Sequence, residues 1–253
     1  MYPHISQLHL SVKLGFGDKT IIDKMFFTPP FKIIEPFYDE STAAHIILMV
    51  ASAGLMAGDR QEMCLDLQEK SRLHLTSQSF EKVHDTQDDY ASRQLFINVA
   101  NHAMLDFNPL PCILFENASF RAQSDIQLKA DSILYHSEIL AARNLQNAHF
   151  AFKSYITTLK IFIENKLVLF DNTRFIPSQM PLENLCFLGD FSHYLNLIII
   201  DKAFNLHKAL EYLESQSSMC AITAINGGYC LKALGYGSEE LLKLRADIIN
   251  IAR

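Results

Sequence analysis

Apolar and polar residues alternate along most of the first 200 positions of the chain. Residues 8–14 and 95–99 place an apolar side chain at every second position, and residues 155–163 do so except at Thr157. A period of two is typical of β-strands that bury one face and expose the other. The pattern therefore predicts a mainly β protein in this region.

Three short segments resemble one another and point to stacked units. Each contains the end of a strand, a polar turn, a small residue and the start of a new strand. The small residues are Ser71, Ala103 and Ser132, which lie 32 and 29 residues apart. A repeat of this size is typical of stacked architectures in which each unit buries a face against the next. We expect a β-solenoid or two packed, layered sheets, with an ordinary β-sandwich of regular strand spacing as the alternative.

The pattern changes near the C-terminus. Residues 204–215 carry leucines at helical spacing, and a second helix is predicted to begin at Ser238, which is followed by two glutamates. A short strand is expected between them, over residues 229–234. Because no Pro- or Ser-rich linker separates these parts, we predict one domain over residues 1–253, with a β-stack in about the first 200 residues and two helices after it.

Composition excludes several classes of function. A formal charge of −6 argues against a nucleic-acid-binding protein, which usually carries a basic stripe. Although 49% of the residues are hydrophobic, no apolar run approaches the roughly 20 residues that a membrane-spanning helix needs. The first residues lack the basic and apolar regions of a secretion signal, so we expect a cytoplasmic protein.

Common catalytic and metal-binding signatures are also missing. The five cysteines show no C-x-x-C spacing, which indicates reduced, mostly buried thiols instead of a disulfide framework or a zinc knuckle. The chain lacks a phosphate-binding loop, a G-x-S-x-G elbow and an H-E-x-x-H helix. We therefore expect neither nucleotide hydrolysis nor the common hydrolase mechanisms.

An unusual loop lies between two predicted strands, over residues 53–59. Its glycines, Gly54 and Gly58, suggest backbone with positive φ or a close approach of another segment. Asp59 ends the loop, where its carboxylate can bind backbone amides or face a partner. Gly54 and Gly58 are therefore predicted to be structural residues of this loop.

The loop, written G-L-x-x-G-D, and the T-S-Q-S-x-x-K-V sequence that begins at Thr76 resemble the urease accessory protein family UreD, called UreH in some lineages. Further similar segments follow in the family's order: F-T-P-P-F from Phe27, L-D-F-N-P-L-P from Leu105, F-E-N-A from Phe115, S-E-I-L from Ser137, D-N-T from Asp171 and H-Y-L-N-L from His193. The chain departs from the family pattern where it carries Ala53, Ala57, Ala142 and Ala148.

The resemblance implies a fold and a function. It implies a β-helical stack with helices near the C-terminus, which favours the solenoid over the sandwich. It also implies a non-enzymatic maturation factor that binds the urease apoprotein and, through UreF, the nickel-carrying GTPase UreG. Nickel would be in transit through an internal route, with no permanently bound cofactor and no fixed metal site.

Seven residues are candidates for that nickel route. The family motifs suggest Asp59 and Glu138, and the repeat places His74 and Asp106 at equivalent positions of neighbouring units, facing one side of the stack. The remaining candidates lie at strand ends or turns nearby: Glu81, His84 and Glu116. Histidine and carboxylate groups are suitable ligands for divalent nickel. Each residue taken alone is also typical of an ordinary turn aspartate, solvated histidine or surface ion pair.

A second class of function is a β-solenoid enzyme that acts on an acidic polysaccharide. Such an enzyme would need a row of lysine, arginine and carboxylate residues on one strand face, and the sequence shows no such row. Incubation of the pure protein with candidate polysaccharides separates this hypothesis from the accessory role.

Overall fold

The computed structural model describes residues 5–143, 150–216 and 219–252. Within them the chain forms eighteen β-strands, a short 3₁₀ helix at Phe16–Asp18 and two α-helices. The strands are β1 (Ser6–Leu14), β2 (Thr20–Phe27), β3 (Phe31–Ile33), β4 (Phe37–Tyr38), β5 (Ala44–Val50), β6 (Arg60–Leu67), β7 (Arg72–Ser77), β8 (Glu81–Val83), β9 (Ala91–Val99), β10 (Met104–Asn108), β11 (Cys112–Leu114), β12 (Ser119–Leu128), β13 (Ile133–Ala141), β14 (Ser154–Ile163), β15 (Lys166–Phe175), β16 (His193–Ile200), β17 (Met219–Ile225) and β18 (Gly228–Gly235). The helices are α1 (Leu206–Glu214) and α2 (Ser238–Ala252).

The strands form two large sheets. The first has seven strands in the order β15-β14-β12-β9-β6-β1-β2, and the second has eleven, with the main order β17-β18-β16-β13-β10-β7-β5-β3. In each sheet the central strands pair in parallel, while the outer strands pair antiparallel. The short strands β8 and β11 also belong to the second sheet. They pair in parallel with each other, and β11 also pairs in parallel with β13.

Between β5 and β14 the main strands alternate between the two sheets, in the order β5, β6, β7, β9, β10, β12, β13 and β14. The chain therefore winds as a β-solenoid of about four turns. This confirms the solenoid prediction, and the sandwich alternative is wrong because neighbouring turns are joined by parallel strand pairs. The three predicted small residues occupy the same place in successive turns. The backbone N–H groups of Ser71, Ala103 and Ser132 donate to the carbonyl three residues earlier, at 3.1, 3.2 and 3.1 Å. All three residues are buried, which explains why they are small.

The main core lies between the sheets, where the alternating leucine, isoleucine and valine side chains of both inner faces meet. A second apolar cluster lies where α1 and α2 pack on the outer face of the second sheet. Leu241, Leu244 and Ile248 of α2 are buried in it, as their helical spacing predicts. The strand expected over residues 229–234 is β18, and both helices follow residue 200 as predicted. Among the described residues, no helix is long and apolar enough to cross a membrane.

Candidate functional site

A cavity of about 190 Å³ lies between the two sheets at one side of the solenoid. Residues from both inner faces line it, including Phe120 and Tyr155 at its buried side. The exposed lining residues are Ser52, Ala53 at the start of the predicted loop, Ser79 and Phe80 between β7 and β8, and Lys82 of β8. The loop therefore forms part of the open end of the cavity.

Three charged side chains project into this cavity from different strands. Arg93 occupies an inward-facing position of β9, between the buried residues Ala91 and Leu95. It forms an ion pair with Glu81 of β8, and Glu138 of β13 lines the same cavity. The guanidinium also donates to Oε1 of Gln61 from Nε at 3.0 Å and from Nη2 at 2.8 Å. The arginine is thus held in a fixed orientation between the two sheets.

The surroundings of Glu138 change its acidity. Burial raises the pKa of Glu138 to about 7, with the Arg93 charge lowering it and the Asp171 charge raising it further. Burial and the nearby Glu81 charge also raise the pKa of the Cys112 thiol well above its usual value. Near neutral pH the cavity therefore contains a carboxyl group that is close to the midpoint of its protonation.

The predicted loop is tied to the strand beside it. The N–H of Leu55 donates to the carbonyl of Lys82 at 2.7 Å, and the N–H of His84 donates to the carbonyl of Leu55 at 2.9 Å. Gly54 has a φ of 142°, and a Cβ placed there would lie 2.6 Å from the Lys82 carbonyl oxygen. Gly58 has a φ of 78°, so both glycines have the predicted positive φ.

Asp59 closes the same loop. Its side chain is buried, and its Oδ2 accepts a hydrogen bond from the N–H of Met56 at 2.8 Å. This is one of the two arrangements that the sequence suggests, in which the aspartate satisfies backbone amides of its own turn. Asp59 does not line the cavity.

The two remaining turn candidates lie at the surface. Nε2 of His84 lies 3.0 Å from the carbonyl oxygen of Ala53, and the imidazole stacks on Phe115 with centroids 5.0 Å apart. His84 thus supports the open end of the cavity from outside. Glu116 is exposed in the turn after β11 and does not line the cavity.

A second polar cluster lies on the outer face of the second sheet. His45, His74 and Asp106 are neighbours in register on β5, β7 and β10. The two imidazoles stack with centroids 4.5 Å apart, and Nδ1 of His74 lies 3.0 Å from Oδ2 of Asp106. Arg245 of α2 pairs with the same aspartate from above the sheet. Asp106 therefore connects the solenoid to the C-terminal helix.

The prediction that His74 and Asp106 occupy equivalent positions is confirmed, but the expectation that they face an interior path is wrong. Leu73 and Leu75 point into the core, so His74 between them must point outward, and the same alternation applies to Asp106 between Leu105 and Phe107. Glu138, in contrast, lies at the cavity with Glu81. The structure thus places these four candidates on two faces of one sheet, His74 and Asp106 outside and Glu81 and Glu138 inside.

The sequence analysis missed Arg93 and Cys112 in the cavity. The signal for Arg93 was a charged residue at a position where the alternation of β9 predicts an inward-facing apolar one. Of the four departures from the family pattern, Ala53 lies at the open end of the cavity, Ala57 is partly buried in the loop and Ala142 is buried. Ala148 lies outside the described residues.

Fold and site define a class of protein: a β-solenoid that encloses a cavity with charged side chains and packs two helices on one outer face. The family model described as UreD urease accessory protein matches residues 4–253. The chain therefore belongs to the UreD family of urease accessory proteins, as the motifs indicate.

Individual relatives agree with this assignment. The chain is 41% identical to the urease accessory protein UreH of Helicobacter acinonychis, with 99% of this chain and 96% of the relative covered. It is 40% identical to UreH of Helicobacter pylori strain J99, at the same coverage. A urease accessory protein UreD from Acetivibrio thermocellus is 29% identical, with 97% of this chain and 96% of the relative covered. Membership of this family supports a role in urease maturation.

Proposed function

We propose that this protein is a scaffold for urease maturation that binds the urease apoprotein and the UreF–UreG complex and helps to deliver nickel to the urease active site. The family and the names of the relatives support the role in maturation. The observation that supports passage of nickel through this chain is the cavity between the sheets, which brings Glu81 and Glu138 together with Arg93 to the inside of a mainly apolar solenoid.

The chemistry of the cavity suits a cation that must leave again. The carboxylates of Glu81 and Glu138 attract a divalent ion. Arg93, which forms an ion pair with Glu81, offsets part of their negative charge. A transfer site needs weak, exchangeable ligands instead of a closed cage. Because the pKa of Glu138 is about 7, release of nickel can be coupled to uptake of a proton by this carboxyl.

The loop over residues 53–59 lies where a partner protein could dock beside the cavity. Ala53, Gly54 and Leu55 line the cavity, and Gly54 allows the loop to approach β8 closely. A partner that docks on the loop and on the exposed ring of Phe80 would cover the open end of the cavity. Ions could then pass between the partner and the cavity without entering bulk solvent.

Co-purification and reconstitution test the proposal. The protein should co-purify with urease and UreF, and leaving it out of a reconstitution with UreF, UreG, GTP, bicarbonate and nickel should leave urease inactive. Nickel-dependent activation that persists without this protein would contradict the scaffold role. Intact co-purification together with full activation by a Glu81→Gln/Glu138→Gln variant would contradict only the route through the cavity.

The enzymatic alternative has its own test. A β-solenoid enzyme acting on an acidic polysaccharide would release reducing ends when the pure protein is incubated with pectate, alginate or hyaluronate. Family membership favours the accessory role, and we expect no release from any of the three. Release that is lost in a Glu81→Gln/Glu138→Gln variant would instead assign a catalytic role to the cavity.

A further inference from the structure

Three potential metal ligands lie together on the outer face of the first sheet. His9 of β1 and Cys64 of β6 are neighbours in register across a parallel strand pair, and Glu62 lies two residues before Cys64 on the same strand. The residues beside them in sequence, such as Leu8, Met63 and Leu65, point into the core. All three ligand side chains therefore project from the same outer surface, away from the internal cavity.

The spacing of the ligand atoms is close to what a metal ion requires. One ligand atom from each residue lies within 4.8 Å of the other two. Nε2 of His9 is 3.7 Å from Oε1 of Glu62. Ligand atoms bound to a tetrahedral ion at about 2.0–2.3 Å are roughly 3.3–3.8 Å apart. The His9–Glu62 pair already has this separation, and the Cys64 thiol lies within 4.8 Å of both ligand atoms.

Neighbouring side chains hold two of the ligands in place. The ring of Phe26 meets the His9 imidazole edge to face, with centroids 5.9 Å apart. Nε2 of Gln7 donates to Oε1 of Glu62 at 3.3 Å. Such supporting contacts fix the orientation of metal ligands and are a regular part of metal sites in proteins.

We propose that His9, Glu62 and Cys64 form a solvent-accessible site for a divalent transition-metal ion such as Ni²⁺, Co²⁺ or Zn²⁺. An imidazole, a thiolate and a carboxylate form a mixed donor set that suits these ions better than Mg²⁺ or Ca²⁺. With three protein ligands, one position stays open to water or to a ligand from another protein. The site is separate from the cavity, and its existence does not depend on the proposed function.

The site should bind its metal reversibly. The side chain of His9 is 48% exposed and that of Glu62 is 27% exposed, so solvent can replace either ligand. The Cys64 thiol must lose a proton when it binds the metal, because the thiolate is the ligand. We therefore expect exchangeable binding at the surface instead of a structural metal.

Cobalt titration of the full chain tests the proposal. The Cys186→Ser protein, which lacks the exposed thiol of Cys186, serves as the starting protein and is kept reduced with a phosphine. Addition of Co²⁺ should produce a thiolate-to-cobalt charge-transfer band that saturates at one ion per chain, and Ni²⁺ and Zn²⁺ should displace the cobalt. Thermal unfolding of each variant checks that the fold is intact.

The variants assign the ligands. Cys64→Ser should abolish the band. Changes to residues that merely support a metal ligand weaken affinity about 10- to 100-fold, so His9→Ala and Glu62→Gln should each weaken cobalt binding by at least about tenfold.

Two control variants should leave binding unchanged. His207→Ala alters an exposed His–Glu pair that has no thiol beside it, with 3.6 Å between Nε2 of His207 and Oε1 of Glu211. Cys220→Ser removes another partly exposed thiol.

Three results would overturn the proposal. The first is the absence of a saturable band in the starting protein. The second is a band that survives in Cys64→Ser, or that depends on Cys64 but not on His9 and Glu62, since that would be binding by a lone thiol. Binding that disappears in Glu138→Gln but persists in the three site variants would place the metal in the cavity and would also contradict the proposal.

Discussion

Replacement of Asp106 by alanine should destabilise the protein strongly. Arg245 and Asp106 have side chains only 6% and 14% exposed, and Nε of Arg245 is buried without a hydrogen-bond partner among the described residues. The variant would leave the guanidinium buried opposite a methyl group and would also remove the partner of His74. Breaking a buried ion pair in this way typically costs about 3–5 kcal/mol of unfolding free energy.

The loss should depend on pH in a defined direction. Burial alone would raise the pKa of Asp106, but hydrogen bonds and charges from His74 and Arg245 hold it below its usual value. A carboxyl whose pKa is lower in the folded state contributes stability above its unfolded pKa. The difference between wild type and Asp106→Ala should therefore be complete at neutral pH and shrink only below about pH 4, where the Asp106 carboxyl of the unfolded chain begins to gain a proton.

Equilibrium urea unfolding at pH 7 measures the effect, and thermal unfolding should show a fall in Tm of about 2–4 °C for each kcal/mol in a chain of this size. Asp131→Ala is the matched control, because the Asp131–Lys202 pair is exposed and exposed pairs contribute little. The paired change Asp106→Leu/Arg245→Met removes both charges and should recover most of the lost stability. If Asp106→Ala unfolds at the same urea concentration as Asp131→Ala, Asp106 is not the anchor of α2.

Three further outcomes are expected from the structure and the proposed function. Gly54→Ala should lower stability by about 1–3 kcal/mol, because its φ is positive and the Cβ would approach the Lys82 carbonyl. Gly17 also has a positive φ, but a Cβ there would meet nothing within 4 Å beyond its chain neighbours, so Gly17→Ala should cost less in urea unfolding. The raised pKa of Glu138 means that the stability of the wild type should fall as pH rises from about 4.5 to 7. Glu138→Gln should remove this fall, and parallel pH–stability curves for the two proteins would refute this. Binding to UreF should be largely apolar and survive high salt in pull-downs, and its loss at modest ionic strength would indicate a charge-driven contact instead.

Much of the fold was predictable because it depends on local patterns. The alternation of apolar residues reports which strands bury one face, and the repeated small residues Ser71, Ala103 and Ser132 mark the turns where one unit stacks on the next. The helix starting at Ser238 follows from its capping residue and acidic first turn. These signals act over a few residues and do not require knowledge of distant contacts.

The candidate site was less predictable because it is assembled from strands far apart in sequence. Aligning the repeats gave the correct register of His74 and Asp106, but register alone does not say whether a position faces the core or the solvent. His74 and Asp106 face outward because their apolar neighbours on the same strands face inward. The pairing of Glu81 with Arg93 of the opposite sheet, and the approach of Glu138 to the same cavity, depend on how the solenoid winds and could not be read from spacing.

The most direct test is the nickel content of urease after reconstitution with cavity variants. We expect Glu81→Gln/Glu138→Gln to co-purify normally with urease and UreF but to leave the urease with less nickel and less activity than wild type. Glu116→Gln, an exposed change outside the cavity, should match wild type. If urease gains nickel at the wild-type rate while the cavity variant remains in the complex, nickel delivery does not depend on this cavity and the proposed route is wrong.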